Sequence, residues 1–264
     1  LADQLDQAEL QARLALDLVE ARYGHEHIEV ARLLERLANL ARRRGDPGAA
    51  RETLAEALRL SEALVGRDHL TSLSLRRLDA DLLEELGELE ASKLALEAVL
   101  SDAERRYGRF HLSRALALNS LAAIDFRQRR LADGSRRMRE VVSIYQAIYG
   151  PRHNEVATVL NNLANLERER GRLDDAARLM EEVLEIRRET VGAQHVDYAY
   201  SLLGEARIAQ LRGDDQRSLE RFQQARQIFA DALGQAHPLV YSTTLRVAHA
   251  QVDLGASEAA AQTL

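Results

Sequence analysis

Six histidines, His27, His69, His111, His153, His195 and His237, return every 42 residues, each three positions after a glycine (Gly24, Gly66, Gly108, Gly150, Gly192, Gly234). Imidazole is a common metal ligand and general base, so metal binding and proton transfer are the first chemistries such a series suggests. A zinc-type site needs its ligands about 2.0–2.1 Å from one ion. Histidines a whole repeat apart ride on separate units and do not converge. The one close pair, His25 and His27 in "GHEHIEV", has no cysteine or third histidine nearby. No metal and no other cofactor is expected.

Other chemistries fall away in turn. The chain contains no GxxxxGK phosphate loop, GxSxG elbow, HExxH or GxGxxG, and no cysteine for thiolate or disulfide chemistry. Acidic neighbours such as "DDA" at 174–176 and "EE" at 84–85 read as solvated helix faces, so no enzyme is expected. The net charge is −6, and the basic clusters "ARRRG" (41–45) and "SRRMRE" (135–140) are short and mixed with acids, which argues against nucleic acid as partner. No apolar run is long enough to span a bilayer. The composition is that of a cytoplasmic chain. Lys93 is the one lysine among 36 basic residues, a bias that points to a GC-rich bacterial genome.

The elements that carry the histidines follow from the repeat itself, because a period of 20 to 50 residues marks a stacked array. A second glycine recurs at Gly45, Gly87, Gly171, Gly213 and Gly255, with Arg129 in the slot where it fails. Two stops per unit imply two helices per unit, each ended by a residue that reaches left-handed backbone cheaply. Between stops the apolar spacing is helical: Val156, Val159, Leu160, Leu163, Ala164 and Leu166, then Ala176, Leu179, Met180, Val183, Leu184 and Ile186. Pro47 after Asp46 and Pro238 after His237 suit the first helical position, while Pro151 sits in a linker. Each histidine is thereby placed at a helix N-cap. Histidine is a poor N-cap by type, so its ring is expected to pack or hydrogen-bond across the linker as well.

Small residues fix how the helices meet. Ala38, Ala80, Ala122, Ala164, Ala206 and Ala248 share one register of the first helix, and Ala8, Ala50, Ser92, Gly134, Ala176, Ser218 and Ala260 share one of the second. Small side chains let helix backbones approach, and Leu54, Leu96, Met138, Met180 and Phe222 fill the adjoining space. The expected fold is all-α, an α-solenoid of antiparallel helix hairpins forming one array over 1–264. Complete hairpins are expected at 27–65, 69–107, 111–149, 153–191 and 195–233, after a lone second helix at 1–23 and before a cut-off unit at 237–264. The parent protein is expected to extend beyond both ends.

The slots Ala164, Gly171 and Ala176 in "LNNLANLERERGRLDDAARLMEEVL" resemble a tetratricopeptide repeat, and the "YGPRH" preface with its 42-residue period is similar to the kinesin-light-chain variety. The usual unit has 34 residues. Each unit here is longer by about two helical turns. The resemblance departs where Asp79 takes a usual leucine slot and Arg129 replaces the turn glycine. It implies a non-catalytic protein- or peptide-binding scaffold whose first helices line a concave surface. The implied stripe holds Arg32, Glu35, Asn39 and Arg42; Ser74, Arg77, Asp81 and Glu84; Leu116, Asn119, Ala123 and Phe126; Thr158, Asn161, Asn165 and Arg168; and Tyr200, Leu203, Arg207 and Gln210. Asparagine can pair with an extended main chain and arginine with a carboxylate. The expected peptide-binding residues are therefore Asn119, Phe126, Asn161, Asn165, Arg168, Tyr200 and Arg207, with an acidic ligand. Asn161 stands in an "LNNLA" segment similar to one used for cargo peptides, whereas Glu35 and Arg77 hold that slot in the first units. Two other roles stay open at this stage: the sensory or regulatory arm of a larger bacterial signalling protein (kinase, ATPase or transcription factor), and a self-assembly module that associates through exposed ends.

Overall fold

The computed structural model describes residues 2–263. The described residues form helices only: α1 (Ala2–Tyr23), α2 (Ile28–Arg43), α3 (Pro47–Val65), α4 (Leu70–Glu85), α5 (Leu89–Tyr107), α6 (Leu112–Arg127), α7 (Leu131–Tyr149), α8 (Asn154–Glu169), α9 (Leu173–Thr190), α10 (Val196–Leu211), α11 (Asp215–Leu233), α12 (Pro238–Asp253) and α13 (Ser257–Thr263). The chain divides into two compact units, the first ending at Arg127 and the second beginning at Gln128. Unit 1 holds α1 to α6 and unit 2 holds α7 to α13.

Within each unit consecutive helices pack pairwise, as α2 on α3 or α10 on α11. The short connections leave a helix no nearer surface than its neighbour's on which to bury its apolar face. First helices also meet one another, α2 with α4, α4 with α6, and α8 with α10, whereas no second helix packs comparably on the next second helix. The layer in which like helices lie closer is the inside of a curve. In each unit, then, the first-helix layer is the concave one. The alanine register explains the close approach: Ala38, Ala80, Ala164 and Ala206 are fully buried, as are Ala50, Ser92, Ala176 and Ser218 on the second helices. Leu54, Leu96 and Met180 fill the space beside them.

The histidine–glycine linkers have a local explanation. Gly66 (φ 88, ψ 158), Gly150 (φ 87, ψ 154) and Gly234 (φ 88, ψ 152) end α3, α7 and α11. Their φ is positive as the sequence implies, but ψ is extended rather than helical, a region open essentially to glycine alone. Three residues on, the imidazole Nδ1 of every one of the six histidines accepts the backbone N–H two residues ahead, at 3.1–3.2 Å. One orphan donor of each first helix is thereby satisfied. The ring also packs: His27, His111 and His153 stack on Tyr23, Tyr107 and Tyr149, four residues earlier, with centroids 4.8, 4.6 and 5.0 Å apart. Each histidine is a splice between helices. At the other turn, Arg129 adopts φ 58 where its counterparts are glycine.

Candidate functional site

The concave faces of the two units carry different chemistry. On unit 1 the charged side chains satisfy one another. Ser74 donates to Glu35 across helices at 3.0 Å, Ser120 donates to Asp81 at 2.9 Å, and Arg77 reaches the same Asp81 at 2.6 Å. Arg42 pairs with Glu85 at 2.7 Å, Arg127 with Glu84 at 3.1 Å, and Arg32 with Glu29 at 2.5 Å. Asn119 lies half-buried on α6 and Phe126 is 40% exposed near its end.

Unit 2 leaves more unspent. Asn161 is half-buried on α8 and has no hydrogen-bond partner among the described residues. One turn on, Asn165 Oδ1 accepts from Arg168 Nη1 at 3.1 Å, and Arg168 Nη2 pairs with Glu169 at 2.8 Å. Tyr200 on α10 rests edge-on against Phe229 at 5.2 Å while keeping 45% of its surface exposed. Arg207, half-buried two turns further along α10, forms no hydrogen bond or ion pair among the described residues. Burial, and then the charges of Arg246 and Arg168, push its pKa down from the ordinary arginine value. Of the seven residues expected from sequence, Asn161, Asn165, Arg168, Tyr200 and Arg207 share the face of unit 2, while Asn119 and Phe126 belong to the face of unit 1.

Arg246 on α12 was missed by the sequence reading. Equivalent residues recur at 42, but the cross-helix pairs Glu35–Ser74 and Asp81–Ser120 are 39 residues apart. One turn is subtracted because side chains on neighbouring helices meet along a diagonal. Arg168, Arg207 and Arg246 keep that 39-residue step.

Beneath these faces lie buried carboxylates that the sequence reading took no account of. Glu167, with no exposed side-chain surface, receives Arg139 at 2.6 Å and Arg170 at 3.0 Å, together with the hydroxyl of Ser135. Glu205 receives Arg217 and Arg221 at 2.5 and 2.9 Å. In unit 1, Asp102 receives Arg76 at 2.6 Å, Arg67 at 3.2 Å and also Arg105. Burial alone would raise the Asp102 pKa, and the hydrogen bond and charge of Arg76 with the charges of Arg67 and Arg105 outweigh it and hold the carboxyl below its usual range. The short basic clusters are partly structural: Ser135 and Arg139 of "SRRMRE" anchor Glu167, and Arg42 of "ARRRG" anchors Glu85. His25 is held between two acids, Nδ1 meeting Glu20 at 2.7 Å and Nε2 meeting Glu56 at 3.0 Å. Among the described residues no group of three or more His, Cys, Asp or Glu is placed to hold a metal ion, and no helix is long and apolar enough to cross a membrane.

Helix hairpins at a fixed period, closest on one layer and spliced by a recurring Gly–His, define a stacked-repeat protein. Family models described as "Tetratricopeptide repeat" match residues 113–189 and 155–231, and residues 30–71, together more than half of the sequence. The chain belongs to the tetratricopeptide repeat family. Solved structures agree on the fold. BtubC (BKLC) from P. vanneervenii superposes with a TM-score of 0.76 at 22% identity, covering 89% of this chain and 94% of that one. The nearly identical TPR-like repeats of the kinesin light chain type from Podosopora anserina give 0.68 at 22% identity, covering 78% and 98%. Pseudomonas aeruginosa pilF gives 0.61 at 16% identity, covering 89% of each chain. No curated protein matches in sequence.

Proposed function

We propose that this protein is a non-catalytic scaffold that binds an extended, acidic peptide on the concave first-helix face of unit 2, and that it works in the cytoplasm. The observation that supports the reading is the unspent polarity of that face. Asn161 offers a donor and an acceptor with no protein partner, and Arg207 is a half-buried cation without a carboxylate. Polar groups that spend no hydrogen bond or ion pair on the protein keep their pairing capacity for a ligand, which has only water to displace. A peptide main chain suits Asn161 and an acidic group suits Arg207. Tyr200 and Leu203, on the same face of α10, add apolar contact. Tetratricopeptide repeats generally serve protein–protein recognition.

The test is a peptide-library pulldown with the full chain and with the Asn161→Ala/Asn165→Ala/Arg207→Ala variant, after confirming that both melt alike. Peptides retained by the first and lost by the second support the reading. Equal retention by both moves binding off this face and overturns it.

A further inference from the structure

The three arginines of the unit 2 diagonal are more specific than an acidic preference requires. On unit 1 the pairs placed 39 residues apart are complementary, Ser with Glu and Ser with Asp, and close to 3.0 and 2.9 Å. On unit 2 the same relation places Arg168 beside Arg207 and Arg207 beside Arg246, so the diagonal repels itself. Arg168 is offset by Glu169 at 2.8 Å. Asp253, on the same helix as Arg246, is held by Gln210 Nε2 at 2.9 Å. Arg207 and Arg246 form no ion pair among the described residues, which leaves two uncompensated positive charges. His249, exposed one turn beyond Arg246, adds a further side chain with no partner.

We infer that Arg207 and Arg246 form a receptor for a phosphomonoester carried on the peptide that unit 2 binds. The inference rests on the peptide-binding reading and deepens it. Charge decides between acids. A carboxylate brings one negative charge and two oxygens, enough for a single guanidinium fork. A phosphomonoester brings about −1.5 to −2 and three acceptor oxygens, which matches two forks and two charges. Guanidinium suits this role better than ammonium because its donors lie in a fixed plane and its hydration is weaker. The half-burial of Arg207 adds to the effect, since a screened surface charge gains little from an ion and a partly desolvated one gains more.

The experiment compares retention by the full chain of three matched peptide libraries, with phosphoserine, glutamate or serine at a central position. It is repeated with Arg207→Gln and Arg246→Gln at one pH, with melting followed in parallel. Phosphoserine peptides are expected to be retained about tenfold over glutamate peptides; Arg246→Gln is expected to bring the two to one level without changing the glutamate result more than severalfold, and Arg207→Gln to weaken both and remove the preference. Equal retention of phosphoserine and glutamate peptides, or a preference that survives both variants, overturns the inference while leaving peptide binding intact. Retention of none of the libraries overturns the peptide reading instead. In that case inorganic phosphate alone, against acetate at matched ionic strength, decides whether the receptor exists: a rise in melting temperature abolished by Arg246→Gln supports it, and no such rise overturns it.

Discussion

One slot of the repeat is Asp81 in unit 1 and Arg207 in unit 2, and the two residues have opposite fates. Asp81 is held by Arg77 at 2.6 Å and Ser120 at 2.9 Å, so its charge is met without a ligand. Arg207 faces Arg168 and Arg246 and has no acid of its own. The same hairpin scaffold thus builds one face whose charges pair with one another and one that leaves charges open. A repeat protein can do this because packing is fixed by the small-residue registers, leaving the stripe free to vary. The contrast holds only if the open charges of unit 2 are confined to its face and those beneath it are spoken for.

The largest effect is therefore expected below the face. Glu167→Gln leaves Arg139 and Arg170 without their buried carboxylate, and breaking such an arrangement costs about 3 kcal/mol. Chemical denaturation should show the loss as a lower midpoint at unchanged slope. A cost below about 1 kcal/mol would mean that the buried charge is not what stabilises unit 2, and the line between face and interior would fall.

Unit 1 sharpens the same distinction through pH. Asp102 has its folded pKa held below the unfolded value, which is about 3.9. A depressed carboxyl contributes stability that is fully present above the unfolded pKa and is lost as pH falls through the folded one. Stability measured from neutral pH downward should fall more steeply in the original chain than in Asp102→Asn. The variant itself should lose about 1–3 kcal/mol at neutral pH, where Arg76 keeps a weaker hydrogen bond and loses the charge. Parallel acid limbs would remove Asp102 from the account.

The linkers should show no contrast between units. His111→Ala in unit 1 and His153→Ala in unit 2 each remove a cap worth about 1 kcal/mol and a stacking partner worth about 0.5 kcal/mol or more. His69→Ala removes the cap alone, since Val65 stands where the others have tyrosine, and should cost about 0.5 kcal/mol less. Thermal melts of the three variants check the order. A His153 variant that melts like the original chain would end the splice account.

Much of the fold is legible in the sequence. The glycine and histidine series, the prolines after Asp46 and His237, and the alanine registers specified helices, caps and close packing, because those depend on neighbours in sequence or on strict periodicity. The candidate face was only partly readable. Asn161, Asn165, Arg168, Tyr200 and Arg207 emerge from comparing slots 42 residues apart, but Arg246 does not, since contact between neighbouring first helices runs at 39. Nor were Asp102, Glu167 and Glu205 readable as buried acids: the slot of Asp102 holds leucine or isoleucine elsewhere, those of Glu167 and Glu205 are mostly apolar with Asp125 and Asp79 as further acids, and only the arginines of an adjacent helix make an acid tolerable there.

The smallest expected effect bears most directly on the opening contrast. Arg77→Gln in unit 1 removes the partner of Asp81 four residues along the same helix, a partly buried pair worth about 0.5 kcal/mol or more. Arg207→Gln in unit 2 removes no partner, keeps a polar side chain of similar reach, and relieves repulsion from Arg246 and Arg168. Its stability change should be zero or slightly favourable, by no more than about 0.5 kcal/mol, and any gain should shrink as salt screens the neighbouring charges. Denaturation of both variants at low and high ionic strength separates the cases. If Arg207→Gln destabilises as much as Arg77→Gln, then Arg207 already serves the fold, and the face of unit 2 is as closed as that of unit 1.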